Sequence, residues 1–152
     1  MFDLGLKNKV ILITGGSDGL GYASAELLSS EGAKVIICGR RGDYLTEKAK
    51  TISEKTNNEV LAIQADVSKA DDCKKLVEKT ISKFKKIDIL LNNAGASAAA
   101  LFEDVTDKNW EDDINLKLMS TVRMCRLVIP YMKSNNKGVI INATIGLSLI
   151  HI

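Results

Sequence analysis

Residues 14–21 read Thr14-Gly15-Gly16-Ser17-Asp18-Gly19-Leu20-Gly21. They follow the apolar run Val10-Ile11-Leu12-Ile13 and open a segment, Leu20 to Ser30, of helical character. Strand, glycine turn and helix together form a layout that holds a dinucleotide pyrophosphate. The glycines let the backbone turn sharply and approach the phosphates, while the first N–H groups of the helix and its positive dipole end face the charge. A nucleoside-triphosphate loop needs Lys and then Ser or Thr directly after its last glycine. Gly21 is followed by Tyr22 and Ala23, which excludes that chemistry. The other reading is a purely structural strand-to-helix turn in some other α/β protein.

The common dinucleotide fingerprint places glycines at the first, third and sixth positions. Here Thr14 leads into Gly15, Gly19 and Gly21, and Asn92-Asn93-Ala94-Gly95 follows a later apolar strand. Alone, the second stretch could be a turn. With Asp66 just past a third strand, and with strands and helices alternating, the chain from about Leu6 to about Thr144 resembles the short-chain dehydrogenase/reductase family. Its general look is similar to the β-ketoacyl-carrier-protein reductases within it.

The resemblance implies hydride transfer between a nicotinamide coenzyme and a small-molecule carbonyl or alcohol. It implies coenzyme contacts from Gly15, Ser17, Asp18, Gly19, Leu20, Gly21, Arg40, Asp66, Val67, Asn93, Ala94 and Gly95. Asp66 and the next backbone N–H would bind the adenine; the alternative is that Asp66 or Ser68 caps the helix that follows, and both could hold, with Asp66 on the base and Ser68 on the helix. In dinucleotide folds an acidic residue after the second strand grips the ribose hydroxyls of NAD, whereas an arginine accommodates the phosphate of NADP. Here that place holds Gly39-Arg40-Arg41, which favours NADP(H) and leaves NAD(H) open. Asp18 opposes this, because a carboxylate repels the added phosphate. Arg40 and Arg41 could also be a solvated strand-end pair.

Asn115 matches the family's structural and catalytic asparagine, which kinks a helix and holds a proton-relay water; the alternative is a helix-start asparagine with no further role. The family reaction also needs a tyrosine as general acid/base and a lysine four residues later, expected about a dozen residues past the fifth strand. None of Tyr22, Tyr44 and Tyr131 is read as that tyrosine. The carbonyl-orienting hydroxyl has no clear candidate: Ile145 falls at the expected position, with Thr144 and Ser148 nearby. The last residues, 147–152, depart from the family pattern and equal one reading frame of a transposon end sequence. They are expected to be a non-native tail on a truncated domain spanning 1–146, the alternative being a genuine divergent terminus. The expectation is therefore an oxidoreductase chain that does not turn over as it stands, is poorly soluble along an exposed fifth-strand edge, and belongs to a homo-oligomer at full length. The rival reading is a non-catalytic dinucleotide-binding or regulatory module.

The totals are consistent with this reading. The chain has 152 residues, enough for one domain with a real core, and a formal net charge of +2. Its lysines and arginines are scattered at helix spacing, so neither nucleic acid nor an anionic membrane is implied. The start, Met1 to Val10, carries Asp3, Lys7 and Lys9 and lacks the apolar region of a signal peptide, and no apolar run reaches spanning length. The three cysteines, Cys38, Cys73 and Cys125, lie far apart. That argues against disulfides or a metal knuckle and for a reducing, cytoplasmic setting.

The elements that must position these residues can be read from periodicity. Apolar runs within 9–13, 33–38, 59–65, 87–91 and 139–142 predict strands of a parallel sheet, the first of them buried on both faces. Helical stripes fall between them: Leu20 to Ser30, about Leu45 to Asn57, Cys73 to Phe84, Thr106 to Ile114 with Trp110 packing inward, and Leu116 to Met132. Ser97 to Glu103 is predicted as a small-residue loop near the substrate side. The result is an α/β class, a three-layer doubly wound Rossmann-type sheet, incomplete at about five strands. The resemblance implies the strand order 3-2-1-4-5.

Overall fold

A computed structural model describes residues 4–96 and 100–143. The strands are β1 (Val10–Thr14), β2 (Lys34–Gly39), β3 (Val60–Gln64), β4 (Ile89–Asn92) and β5 (Val139–Asn142). The helices are α1 (Gly19–Ser30), α2 (Gly42–Thr56), α3 (Ala70–Phe84), α4 (Asp107–Ile114) and α5 (Ser120–Ser134). All four ladders are parallel, and the order is β3-β2-β1-β4-β5, as the resemblance implies.

The strand runs lack polar alternation because both faces of the sheet are covered. Val10 and Leu12 of β1 enter a core with Ile36, Leu76, Met124 and Val128, on the side of α3 and α5. Ile11 and Ile13 point the other way, to Val35, Ile37, Leu45 and Ile52, on the side of α1 and α2. The period of two sends alternate residues of one strand into two separate cores. Helix ends follow local chemistry. Asn57 ends α2 in the left-handed region at φ +52°, and Asn58 donates its amide to the carbonyls of Ser29 and Ala33 at 3.2 and 2.7 Å. Thr106 caps α4 through a reciprocal box with Asn109.

Three local expectations fail. Trp110 does not pack inward; it is 46% exposed, and its ring meets Phe102 edge-on at 6.4 Å. The reason is that α4 buries no residue among those described, and its contacts run mainly to the turn that follows it. The 97–103 loop is not wholly irregular, since Phe102–Asp104 forms a 3₁₀ turn; residues 97–99 lie outside the described set. No new helix starts at Asn115 either. A π-helical turn, Asn115–Met119, runs α4 directly into α5. Helix α5 then buries Ser120, Met124, Val128 and Met132, with Cys125, Leu127 and Tyr131 packed partly against the same core. Met124 is fully buried, while Ile129 faces outward. Strand β5 pairs with β4 alone among the described residues and leaves Val139 and Ile141 half exposed.

At the opposite end of the sheet from the glycine turn, Asp88 ties β1 to β4. Its carboxylate accepts from the Val10 N–H at 2.8 Å and from the Lys86 ammonium at 2.8 Å. Burial pushes the Asp88 carboxyl up, but the bonds from Lys86 and Val10 outweigh it and hold the group below the ordinary carboxylate value. A depressed folded value stabilises the native state above the ordinary pKa of about 3.9, and that stabilisation fades as pH falls through the folded value. Asp88→Asn should therefore cost about 1 kcal/mol at pH 7 and flatten the loss of stability below about pH 4. Urea unfolding at a series of pH values checks both.

Candidate functional site

The chain runs from β1 outward to β2 and β3, then returns to β4 on the other side of β1. Between the carboxyl ends of β1 and β4 the strand order reverses, and in open α/β sheets this is the crevice where ligands bind. Two stretches meet there, the turn after β1 and Asn93–Gly95 after β4; the Asp66–Ser68 segment follows β3 at the same, carboxyl, edge of the sheet.

Threonine and asparagine close the floor of the crevice. The buried Thr14 hydroxyl accepts from the N–H groups of both Asn93 and Ala94, each at 3.0 Å. The Asn93 side-chain amide donates to the carbonyls of Thr14 and Gly15 at 3.2 and 3.1 Å. Strand ends that share no further ladder bonds are thus clamped by four hydrogen bonds. Asn92 repeats the device toward β5, donating to Asn142 Oδ1 at 2.9 Å. Sequence reading missed Thr14 as a hub. The signal was present: a hydroxyl ending a wholly apolar, buried strand must find partners.

Above this floor the turn is tightly wound. A Cβ on Gly21 would lie 2.2 Å from the Gly15 carbonyl oxygen and 2.5 Å from Asn93 Nδ2. Gly19 differs: its φ is +53° and a Cβ there would meet nothing within 4 Å, so the backbone is open to an approaching ligand. Asp18 stands at the N-cap of α1 in an extended conformation, yet its side chain caps nothing and the first turn carries no acidic residue. The leading N–H groups of a 12-residue helix thus remain available to an anion. Leu20 projects outward at 77% exposure beside them, and Ser17 Oγ would lie 3.4 Å from a Cβ on Gly39.

The Asp18 carboxylate is engaged elsewhere. It accepts from the Tyr44 hydroxyl at 2.6 Å and forms an ion pair with Arg41, whose guanidinium stacks 4.1 Å from the centre of the Tyr44 ring. The Tyr44 bond first, then Arg41 against the opposing effect of burial, hold the Asp18 carboxyl below its ordinary value. Arg41, rather than Arg40, leans on the glycine turn. Arg40 is exposed, and its carbonyl takes the Gln64 amide at 2.9 Å. Tyr44 and Lys48 also have tyrosine-three-lysine spacing, which sequence reading passed over. They lie on α2 beside β2, with the Tyr44 hydroxyl committed to Asp18.

Asp66 Oδ1 accepts from the N–H of Ser68 at 3.1 Å and from its hydroxyl at 2.7 Å. Neither residue caps α3, whose N-cap is Lys69 with no side-chain bond. The capping alternative therefore falls, and with it a separate duty for Ser68 on the helix. Burial pushes the Asp66 carboxyl up, but the two Ser68 bonds and nearby Lys69 and Arg40 bring it net below its ordinary value. The carboxylate is thus charged at neutral pH and is an acceptor at the carboxyl end of β3. Val67 is buried in the core, so only its backbone can take part.

Asn115 opens the π turn. Its backbone carbonyl accepts the Ser120 N–H, and its side-chain oxygen accepts from Arg123 at 2.7 Å. The Ser120 hydroxyl in turn bonds the Leu116 carbonyl. A π turn inside a helix is an irregularity often found at functional sites. Cys38 is buried and its thiol pushed up to about 12 by burial, so it is a core residue and no nucleophile. Thr144, Ile145, Ser148, His151 and the 147–152 tail lie outside the described residues.

Comparison with known proteins matches residues 9–149 to the family model described as short chain dehydrogenase. A 3-oxoacyl-[acyl-carrier-protein] reductase of Chlamydia trachomatis is 36% identical over 137 residues, covering 90% of this chain and 55% of that protein. The crystal structure of L-sorbose reductase from Gluconobacter frateurii, complexed with NADPH and L-sorbose, superposes with a TM-score of 0.89 at 35% identity. That match covers 93% of this chain and 54% of the other. A 7α-hydroxysteroid dehydrogenase complexed with NADH gives 0.86 at 29% identity, covering 91% and 54%. The chain spans about half the length of the curated relatives it matches.

Proposed function

The chain belongs to the short-chain dehydrogenase/reductase family, and on that premise we propose that it is the coenzyme-binding part of an NAD(P)(H)-dependent oxidoreductase acting on a small carbonyl or alcohol. The observation that carries the reading is the Thr14–Asn93–Ala94 clamp set beneath an open glycine turn. It holds a gap at the reversal point of the sheet, with an anion-ready helix end after β1 and the Asn93–Ala94 segment after β4.

Gly15, Gly19 and Gly21, with Ser17 and Leu20, would receive the pyrophosphate through backbone N–H groups. The Asp66 carboxylate and Val67 N–H would read the adenine edge, and Asn93, Ala94 and Gly95 would line the ribose. The coenzyme supplies the hydride when bound. This chain's residues bind and orient it, and the remainder of the reaction needs a proton donor beyond the residues assigned here. Asn115 is assigned to hold a relay water. Its amide orientation is set by Arg123, a pure donor, which turns the Asn115 Nδ2 donor away from the guanidinium. The exposed apolar side chains Ile114, Leu118 and Ile129 on the α4–α5 side are the surface through which the full-length protein would form a homo-oligomer. No described helix is long and apolar enough to cross a membrane; we assign the cytoplasm.

NADP(H) is the preferred coenzyme in this reading, because Arg40 and Arg41 stand where the 2′-phosphate would lie and Gly39 carries no acid. The Arg41–Asp18 ion pair restrains that preference, since the phosphate must compete with a carboxylate already in place. Asp18→Asn should tighten NADPH about tenfold, which corresponds to about 1.4 kcal/mol, and change NADH little. Fluorescence titration of both nucleotides against both proteins measures it. If the parent chain and a version extended to full length both ignore NADPH and NADH at millimolar levels, the proposed function is wrong.

A further inference from the structure

The hydrogen bonds of Arg123 extend beyond Asn115. Its Nη1 donates to Asn115 Oδ1 at 2.7 Å and also to the Ser68 carbonyl at 3.1 Å. Ser68 is the residue whose N–H and hydroxyl grip Asp66. A continuous polar chain therefore runs from the Asp66 carboxylate through Ser68 and Arg123 to Asn115. It joins the loop after β3 to the π turn between α4 and α5, two segments 47 residues apart that share no strand pairing. The guanidinium is half-buried, so neither bond is freely exchanged for water.

The far end of this chain is a π turn, whose alternative is ordinary α register. A π turn holds one residue more per turn than an α-helix, and its register is kept here by the Ser120 N–H on the Asn115 carbonyl and by the Ser120 hydroxyl on that of Leu116. A slip to α register would move the Asn115 side chain around the helix. A nearby element with two discrete registers is what an energetic link between distant points requires.

We propose that Arg123 is a positioning residue that couples occupancy of the Asp66 loop to the register of the π turn at Asn115–Met119. This inference rests on the coenzyme reading above. A nucleotide that settles on Asp66 fixes the Ser68 peptide; the fixed carbonyl holds Arg123 Nη1; that same nitrogen holds Asn115 in the π register. The adenine end thus prepares the turn that carries Asn115 before any substrate arrives.

Amide hydrogen exchange tests it on the whole chain, with NADH and NADPH as probes and fluorescence titration in parallel. In the parent, a saturating probe should slow exchange at residues 116–120 about fivefold, within the usual range of coupling between sites. Arg123→Met should still bind the probe yet lose that slowing, and Arg123→Lys, which keeps a donor on a flexible stem, should restore most of it. A merely structural arginine would change exchange with and without nucleotide alike. Should Arg123→Met fail to fold, Asn115→Leu cuts the other arm while leaving the Ser68 bond, and the slowing should again disappear. Binding of the probe with no slowing in the parent, or with slowing unchanged in both variants, overturns the coupling alone. Absence of binding in the parent overturns the coenzyme reading, and the coupling with it.

Discussion

Gly21→Ala is expected to weaken coenzyme binding by about a hundredfold or more while lowering stability by about 1–3 kcal/mol. Two effects oppose each other. Alanine is a better helix former than glycine by about 1 kcal/mol, and Gly21 lies in the first turn of α1. Against this, the new Cβ would sit 2.2 Å from the Gly15 carbonyl oxygen and 3.0 Å from the carbon that bears it. These are backbone atoms, and the Gly15 carbonyl is further pinned by Asn93 Nδ2 at 3.1 Å. Neither neighbour can swing aside as a flexible side chain would. The helix start must lift away from the turn, and its N–H groups then miss the pyrophosphate by a fraction of an ångström to an ångström. Displacement of that size costs about two orders of magnitude in a site built on alignment.

Gly19→Ala is the informative comparison. A Cβ there meets nothing within 4 Å, but φ is +53°. The cost is backbone strain of about 1–2 kcal/mol without a clash, together with a methyl group in the open space. Gly21→Ala should therefore disrupt the packing between turn and strand end, whereas Gly19→Ala should mainly obstruct the ligand. NADPH titration and urea unfolding on both variants separate the two. Parent-like affinity in Gly21→Ala would mean that the close approach is not what shapes the site.

Much of this geometry was legible because it is local. Val10–Ile13 could only be a strand covered on both faces, and Gly15, Gly19 and Gly21 could only serve a turn, since each signal lies within a few residues. Strand order was legible through resemblance alone, because nothing in residues 34–39 says which strand lies beside them. What escaped was set by partners distant in sequence. The Thr14 hydroxyl finds its partners 79 and 80 residues away. Arg41, not Arg40, meets Asp18 because α2 begins at Gly42 and turns the preceding side chain back over Tyr44. Trp110 looked like a core residue by type and spacing, but among the described residues α4 buries no side chain. The resemblance pointed to a kink at Asn115, but the π turn itself left no mark in the apolar pattern of residues 116–132.

Thr14→Val should be the most destabilising conservative change in the chain, costing about 2–4 kcal/mol, a large share of the 5–15 kcal/mol typical of a folded domain. Valine preserves the shape at a position only 2% exposed and suits a strand, so packing on β1 is nearly unaltered. What disappears is one oxygen that satisfies two backbone donors, Asn93 N–H and Ala94 N–H. Each buried donor left without an acceptor costs about 1–3 kcal/mol. Partial exposure of Asn93 and Ala94 admits some water and places the total below the simple sum. Thr14→Ser retains the oxygen and should recover most of the loss, apart from the missing methyl group. Coenzyme affinity should follow the same order, since the clamp sets the width of the gap between β1 and β4. If Thr14→Val unfolds in urea at the same midpoint as the parent, the two N–H groups have found other acceptors. The crevice would then be held by the Asn93 side chain and the β1–β4 ladder alone, and the threonine that leads the glycine turn would have no structural reason to be there.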